Sequence, residues 1–236
     1  MKTKLKTGAG SYGLALSEEQ AQQFIQYMEL LREWNEKINL TAITEPDEVI
    51  TKHFLDSMSV YATPYVKEGT SVIDVGTGAG FPGLVMKIAK PGIKLTLLDS
   101  LAKRLNFLQT VCDETNISDV EFVHSRAEDG GQNPEYREKF DVAIARAVAN
   151  MSTLSEYLLP FVKVGGYFIA MKGPLADEEL ANAKKAIATL GGEIAEVAEV
   201  DVPFTDLHHR IVVVKKVKPT PKGYPRKAGT PSKKPL

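Results

Sequence analysis

The residues best suited to chemistry lie in one turn, Asp74-Val75-Gly76-Thr77-Gly78-Ala79-Gly80-Phe81-Pro82-Gly83. An apolar run, Val72 to Val75, carries the acid inside it, and an apolar helical pattern, Leu84, Val85 and Ile88, follows. This reads as a strand, a sharp glycine turn and a helix start. Glycine lets backbone approach a ligand closely, because no Cβ stands in the way. Free N–H groups at a helix start attract anionic groups. The chemistry predicted is that of a nucleotide-type pocket.

Other residues suit the same rim. Asp99 ends the strand after the turn, and Ser125-Arg126-Ala127-Glu128 follows the next one. There the Ala127 N–H and the Glu128 side chain are placed to bracket an adenine edge. Arg146 closes a fourth strand between Ala145 and Ala147. An arginine in so apolar a stretch needs a partner: a ligand carboxylate, a phosphate or a local acid. Lys172 ends the fifth strand on the same side. His53 lies on an apolar helical face beside Ile50, where a pocket residue and a hydrogen-bonded core histidine remain equally open. The lone Cys112 excludes an internal disulfide and a cysteine-based metal site, and it reads as a buried thiol.

The elements that must position these groups follow from periodicity. A chain of 236 residues with 43% hydrophobic and 25% charged content fits one α/β domain. Strands are predicted over 71–75, 93–98, 120–124, 140–145, 165–171, 193–200 and 211–214, and helices over 82–89, 101–115, 151–160 and 177–190. The alternation gives a parallel sheet, and the last two strands, joined without a helix, add an antiparallel hairpin. Before the turn, Ser17-Glu18-Glu19-Gln20 is a capping box opening a helix with Phe24, Met28, Leu31 and Trp34 on one face. Thr44-Glu45-Pro46-Asp47 opens a second. The predicted layout is a flexible arm at 1–16, a helical cap at 17–69, the sheet domain at 70–217 and a tail at 218–236. From Lys215 onward eight bases occur without an acid, so the tail is basic and the remainder acidic. A Pro-, Lys- and Gly-rich tail should lack regular structure. No apolar run is long enough to span a membrane, and a cytoplasmic monomer is expected.

Two cofactors fit the turn. Gly78, Gly80 and Gly83 satisfy the dinucleotide spacing, with Asp99 as the ribose acid. Against this, Gly76 starts the glycine set early, Asp74 sits inside the first strand, and Pro82 stiffens the turn. The pattern Asp-x-Gly-x-Gly-x-Gly resembles class I S-adenosylmethionine-dependent methyltransferases. That likeness implies a Rossmann-like, mostly parallel seven-stranded sheet, and it makes Asp99 the acceptor for both ribose hydroxyls.

The chain more closely resembles the RsmG (GidB) family of 16S rRNA methyltransferases, which methylate N7 of a guanine. The likeness runs from about Leu16 to Lys216. It rests on Trp34-Asn35-Glu36-Lys37-Ile38-Asn39-Leu40-Thr41, His53-Phe54-Leu55-Asp56-Ser57, the glycine turn, Leu97-Leu98-Asp99-Ser100-Leu101-Ala102-Lys103-Arg104 and Arg146-Ala147. It implies S-adenosylmethionine contacts at Gly76, Phe81, Ala127, Glu128 and Arg146, with Gly78, Gly80 and Asp99 completing the pocket. Guanine N7 is a free lone pair and needs no general base, so no catalytic acid–base pair is assigned. Asn39, His53, Asp56 and Arg146 are expected to position the target. RNA contacts are expected at Lys37, Lys52, Lys103, Arg104, Arg126, Lys172, Lys222, Arg226 and Lys227, and no metal is required. The rival readings are an NAD-dependent oxidoreductase, a non-catalytic RNA-binding assembly factor and a small-molecule methyltransferase.

Overall fold

A computed structural model describes residues 1–146, 149–173 and 176–236. Ala147, part of one family-like motif, lies outside the described residues. Seven strands form one sheet: β1 (Ser71–Val75), β2 (Lys94–Asp99), β3 (Val120–His124), β4 (Phe140–Arg146), β5 (Val162–Lys172), β6 (Gly192–Asp201) and β7 (His208–Lys216). Their order is β3-β2-β1-β4-β5-β7-β6. The first five run parallel, and β7 inserts antiparallel between β5 and β6. Helices α5 (Gly83–Ala89), α6 (Ala102–Glu114), α7 (Ala127–Gln132), α8 (Met151–Leu158) and α9 (Ala176–Thr189) follow the strands in turn. This is the expected seven-stranded α/β sheet with a terminal antiparallel hairpin.

Side-chain alternation splits the core between the two faces. Val72, Val142 and Ile144 pack with the N-terminal helices on one face. Ile73, Ala143 and Ala145 pack with α8 and α9 on the other.

The cap holds two helices, α1 (Lys2–Gly10) and α2 (Glu18–Ile38), then one continuous helical stretch of changing pitch. That stretch is α-helical at α3 (Pro46–Glu48), π at Val49–Leu55, α at α4 (Asp56–Met58) and 3₁₀ at Ser59–Ala62. The Ser17 capping box forms, with Gln20 N donating to Ser17 Oγ and Ser17 N to Gln20 Oε1.

Two expectations are corrected. Residues 1–16 are not a loose arm. Leu5 and Ala9, one helical turn apart, are fully buried, and Gly8 lies so close to Leu55 that a Cβ there would sit 2.4 Å from its Cδ1. Lys4–Asp47 and Lys6–Glu18 ion pairs tie the helix to the cap. Nor does the tail lack regular structure. It carries one helical turn, α10 (Thr230–Lys233), and packs back on α7 and α8. Lys216 is buried, donating to the carbonyls of Leu159 and Val162 and pairing with Glu138. Among the described residues no helix is long and apolar enough to cross a membrane, and no group of three His, Cys, Asp or Glu could hold a metal ion.

Candidate functional site

The glycine turn is shaped from inside the protein. Asp74, fully buried in β1, accepts hydrogen bonds from Thr77 Oγ1 (2.7 Å) and Gly83 N (2.8 Å) on the same oxygen. The first N–H of α5 is therefore taken internally and not offered to a ligand. Burial raises the Asp74 carboxyl to about 6, against the pull of these two bonds. Gly80 has φ +94°, and a Cβ there would fall 2.3 Å from Tyr27 Oη. Glycine at this position allows α2 to seat, with Tyr27 Oη donating to Ala79 O. Gly76 and Gly78 also have positive φ, but a Cβ on either would meet nothing within 4 Å. The space above these two is open.

A pocket lies on that open side, beyond the carboxyl ends of β1 to β3. It is lined by Gly76, Asp99, Arg104, Arg126, Ala127 and Glu128, by Leu154, Tyr157 and Leu158 of α8, and by Gly229 and Ser232 of the tail. Asp99 is held rigidly, accepting from Gly78 N on Oδ2 (2.9 Å) and from Leu101 N on Oδ1 (2.9 Å). Oδ1 keeps lone-pair capacity for a further donor, and Oδ2 gains it when Arg104 gives way. Arg104 stands 3.5 Å from Oδ2. Glu128 is buried, and its Oε1 accepts from Gly229 N (2.8 Å).

Across the turn lies a second cluster. Arg146 donates to Asp56 Oδ2 (2.7 Å), Lys52 O (3.1 Å) and His53 Nδ1 (3.0 Å). A guanidinium only donates, so the His53 proton sits on Nε2 and is donated to Thr41 Oγ1 (2.8 Å). His53 stacks on Phe81 at 4.4 Å, and Arg146 lies over the same ring at 5.0 Å. Burial, helped by the Arg146 charge, lowers His53 to about 4, so the ring is neutral. Asp56 Oδ1 accepts from His209 Nδ1 (2.6 Å). Burial works to raise Asp56, but His209 and Arg146 together hold it below its ordinary value. The bond to Asp56 raises His209 in return.

The predicted residues thus divide. Gly76, Asp99, Arg104, Arg126, Ala127 and Glu128 share the pocket wall. Phe81, His53, Asp56 and Arg146 form the closed cluster, so Phe81 and Arg146 do not line the pocket. Gly78 and Gly80 shape the turn. Asn39 is exposed and caps α2 through its left-handed backbone (φ 46°), while Asn35 Oδ1 organises the turn by accepting from the N–H groups of Leu40 and Thr41. Of the expected RNA contacts, Lys103, Arg126, Lys222 and Lys227 are exposed. Lys37 pairs with Glu33 and Lys52 with Glu48 on the surface. Lys172 is instead tied to Ala149 O and Glu179, and Arg226 grips buried Glu156. His209 and the α8 and tail residues were not anticipated. His209 falls where the sequence reads as a loop, and its only mark is the His208-His209 pair just before an apolar run.

The family model for rRNA small subunit methyltransferase G (GidB) matches residues 20–207. The enzyme of that name from Alkaliphilus oremlandii is 57% identical over 236 residues, covering 100% of this chain and 99% of that one. Its counterpart from Clostridium novyi is 53% identical over 232 residues, covering 98% and 96%. The antibiotic-resistance methyltransferase Kmr superposes with a TM-score of 0.52 at 18% identity, covering 65% of this chain and 89% of that one. TYW2 of M. jannaschii, solved with AdoMet, gives 0.54 at 11%, covering 73% and 77%. These last two likenesses concern the fold alone. The chain belongs to the GidB family of small-subunit ribosomal RNA methyltransferases.

Proposed function

We propose that the protein transfers a methyl group from S-adenosylmethionine to N7 of a guanine in 16S rRNA. Methylation of small-subunit rRNA is the activity of its family, with S-adenosylmethionine as methyl donor. The finer reading concerns which residues act and on which atom. The observation that carries it is the open pocket over Gly76 with Asp99 fixed at its wall, held there by Gly78 N. A rigid carboxylate with spare lone pairs fits a vicinal diol, and the apolar side chains of Leu98, Leu154 and Leu158 fit a purine face. These residues suit adenosine, and the bound sulfonium supplies an activated methyl group.

The rest follows from the acceptor's chemistry. Guanine N7 carries its own lone pair, so the protein's work is alignment and exclusion of water. Positive charge moves onto the base as the methyl leaves sulfur, and nearby acceptors favour that shift. The deep groove of an RNA helix hides N7, so an unpaired or flipped base is the fitting target. Lys103 and Arg126, exposed at or near the pocket, are suited to its phosphates, with Lys222 and Lys227 on the tail. The His53–Arg146–Asp56 cluster supports the turn from behind and leaves base positioning to its outer edge. On this reading the protein is a cytoplasmic monomer that meets its partner on the small subunit. Against a dinucleotide enzyme stands the antiparallel β7.

The deciding experiment is tritiated methyl transfer to small-subunit rRNA lacking the modification, followed by mapping of the base. Label at guanine N7 is expected. Label on another base, or none, would overturn the assignment.

A further inference from the structure

The last eleven residues belong to the tail expected to lack regular structure, yet they are anchored to α7 and α8 beside the pocket. Arg226 is the first. Its Nε and Nη2 fork onto the two oxygens of Glu156 (2.9 and 2.6 Å), and its own N–H adds a third bond (2.8 Å). Glu156 is wholly buried in α8 and Arg226 is partly exposed, so the pair is geometrically demanding on its inner side. Upstream, Arg137 donates to the carbonyls of Thr220, Pro221 and Tyr224, and Gln132 to that of Pro225. Downstream, Gly229 N donates to Glu128, and Thr153 Oγ1 donates to Pro231 O (3.1 Å). At and just after the downstream anchors, Gly229 and Ser232 line the pocket together with Asp99.

We infer that residues 226–232 are a built wall of the methyl-donor pocket, with Gly229 and Ser232 on its inner surface and Arg226 as the positioning residue that holds it. The inference rests on the pocket being the S-adenosylmethionine site. It changes the part played by two residues. Glu128 spends one oxygen on holding the wall, and Arg226 spends its charge on Glu156 and not on phosphate. Lys227, Lys233 and Lys234 remain exposed.

Two full-length variants test this without altering charge. Ser232→Trp fills the pocket from the tail side. Gly229→Pro removes the N–H given to Glu128 and cannot hold the φ of +79° found there. Donor affinity is measured by calorimetry with S-adenosylmethionine and S-adenosylhomocysteine. Both variants are expected to lose about tenfold or more in affinity, and KM for the donor should rise while kcat at saturating donor stays within about twofold. A merely structural tail would lower thermal stability and leave that split absent. Donor affinity within about twofold of wild type in either folded variant overturns the inference. A variant that weakens RNA binding with donor affinity unchanged assigns the tail to RNA instead, which also overturns it. Failure of the wild-type protein to bind either compound would refute the pocket assignment itself, and is seen separately.

Discussion

Two polar clusters flank the glycine turn, and they differ in what they leave unsatisfied. Behind the turn, Arg146, His53, Asp56 and His209 use one another, with the neutral ring of His53 pressed on Phe81. In front of it, Asp99, Ala127 and Glu128 face open space. Both clusters hold charged groups drawn from distant segments. The closed one behaves as a brace between the helical cap and the sheet, and the open one is able to take a ligand. An arginine at a strand's carboxyl end is therefore weak evidence for ligand binding until its donors have been counted.

The sharpest way to break this contrast is Arg146→Ala. It leaves Asp56 with His209 as its one remaining ion-pair partner, and removing one partner of a buried charge pair costs up to about 3–5 kcal/mol of stability, read by urea denaturation. Donor affinity of the folded fraction should change by less than about threefold, since the sites share no partner. A large loss of donor affinity at unchanged stability would move Arg146 into the pocket.

Acid titration probes the brace next. Folded His53 stays neutral to about 4, whereas the unfolded ring takes a proton near 6.5. The unfolded state binds more protons in that window, so stability falls as pH drops from 6.5 through about 4, by about 3 kcal/mol in all. Asp74 has the opposite sign, its contribution being full below 3.8 and lost as pH rises through about 6. The difference between wild type and His53→Asn isolates the histidine, and an identical slope in both would remove it from the account.

On the open side, Asp99→Ala should weaken donor binding about 10- to 100-fold by calorimetry, through loss of its hydrogen bonds. Unchanged affinity would displace the ribose from Asp99. The smallest effects belong to the outer bases. Lys103→Ala or Lys227→Ala should each reduce the salt slope of RNA binding by about one and spare donor affinity. Deleting 218–236 outright is a poorer probe, because it strips buried Glu156 and Lys216 of partners.

Much of this was legible in the sequence because the signals are local. Strand, glycine turn and helix recur within a few residues of one another, and Asp99 follows from its place at a strand end. What was hidden depends on long-range partners. Arg226 meets Glu156 from 70 positions away, and Gly229 meets Glu128 from 101, so composition alone reads the tail as a basic segment without regular structure. Helix α1 was hidden for another reason. Two buried residues, Leu5 and Ala9, and a contact made possible by Gly8 give too short a pattern to register. Arg146 was rightly singled out as needing a partner, but whether that partner is a ligand or Asp56 is decided only when the cap folds against the sheet.

The strand order also sets a clock for the newborn chain. β6 borders only β7, and β7 is made after it. While the ribosome is still adding residues 208–216, β6 has no neighbour on the sheet and β5 presents a bare edge. At about 5–20 residues per second this interval lasts about half a second to two seconds. For that time two strand edges stand open to wrong pairing, on a chain whose final segment has yet to be translated.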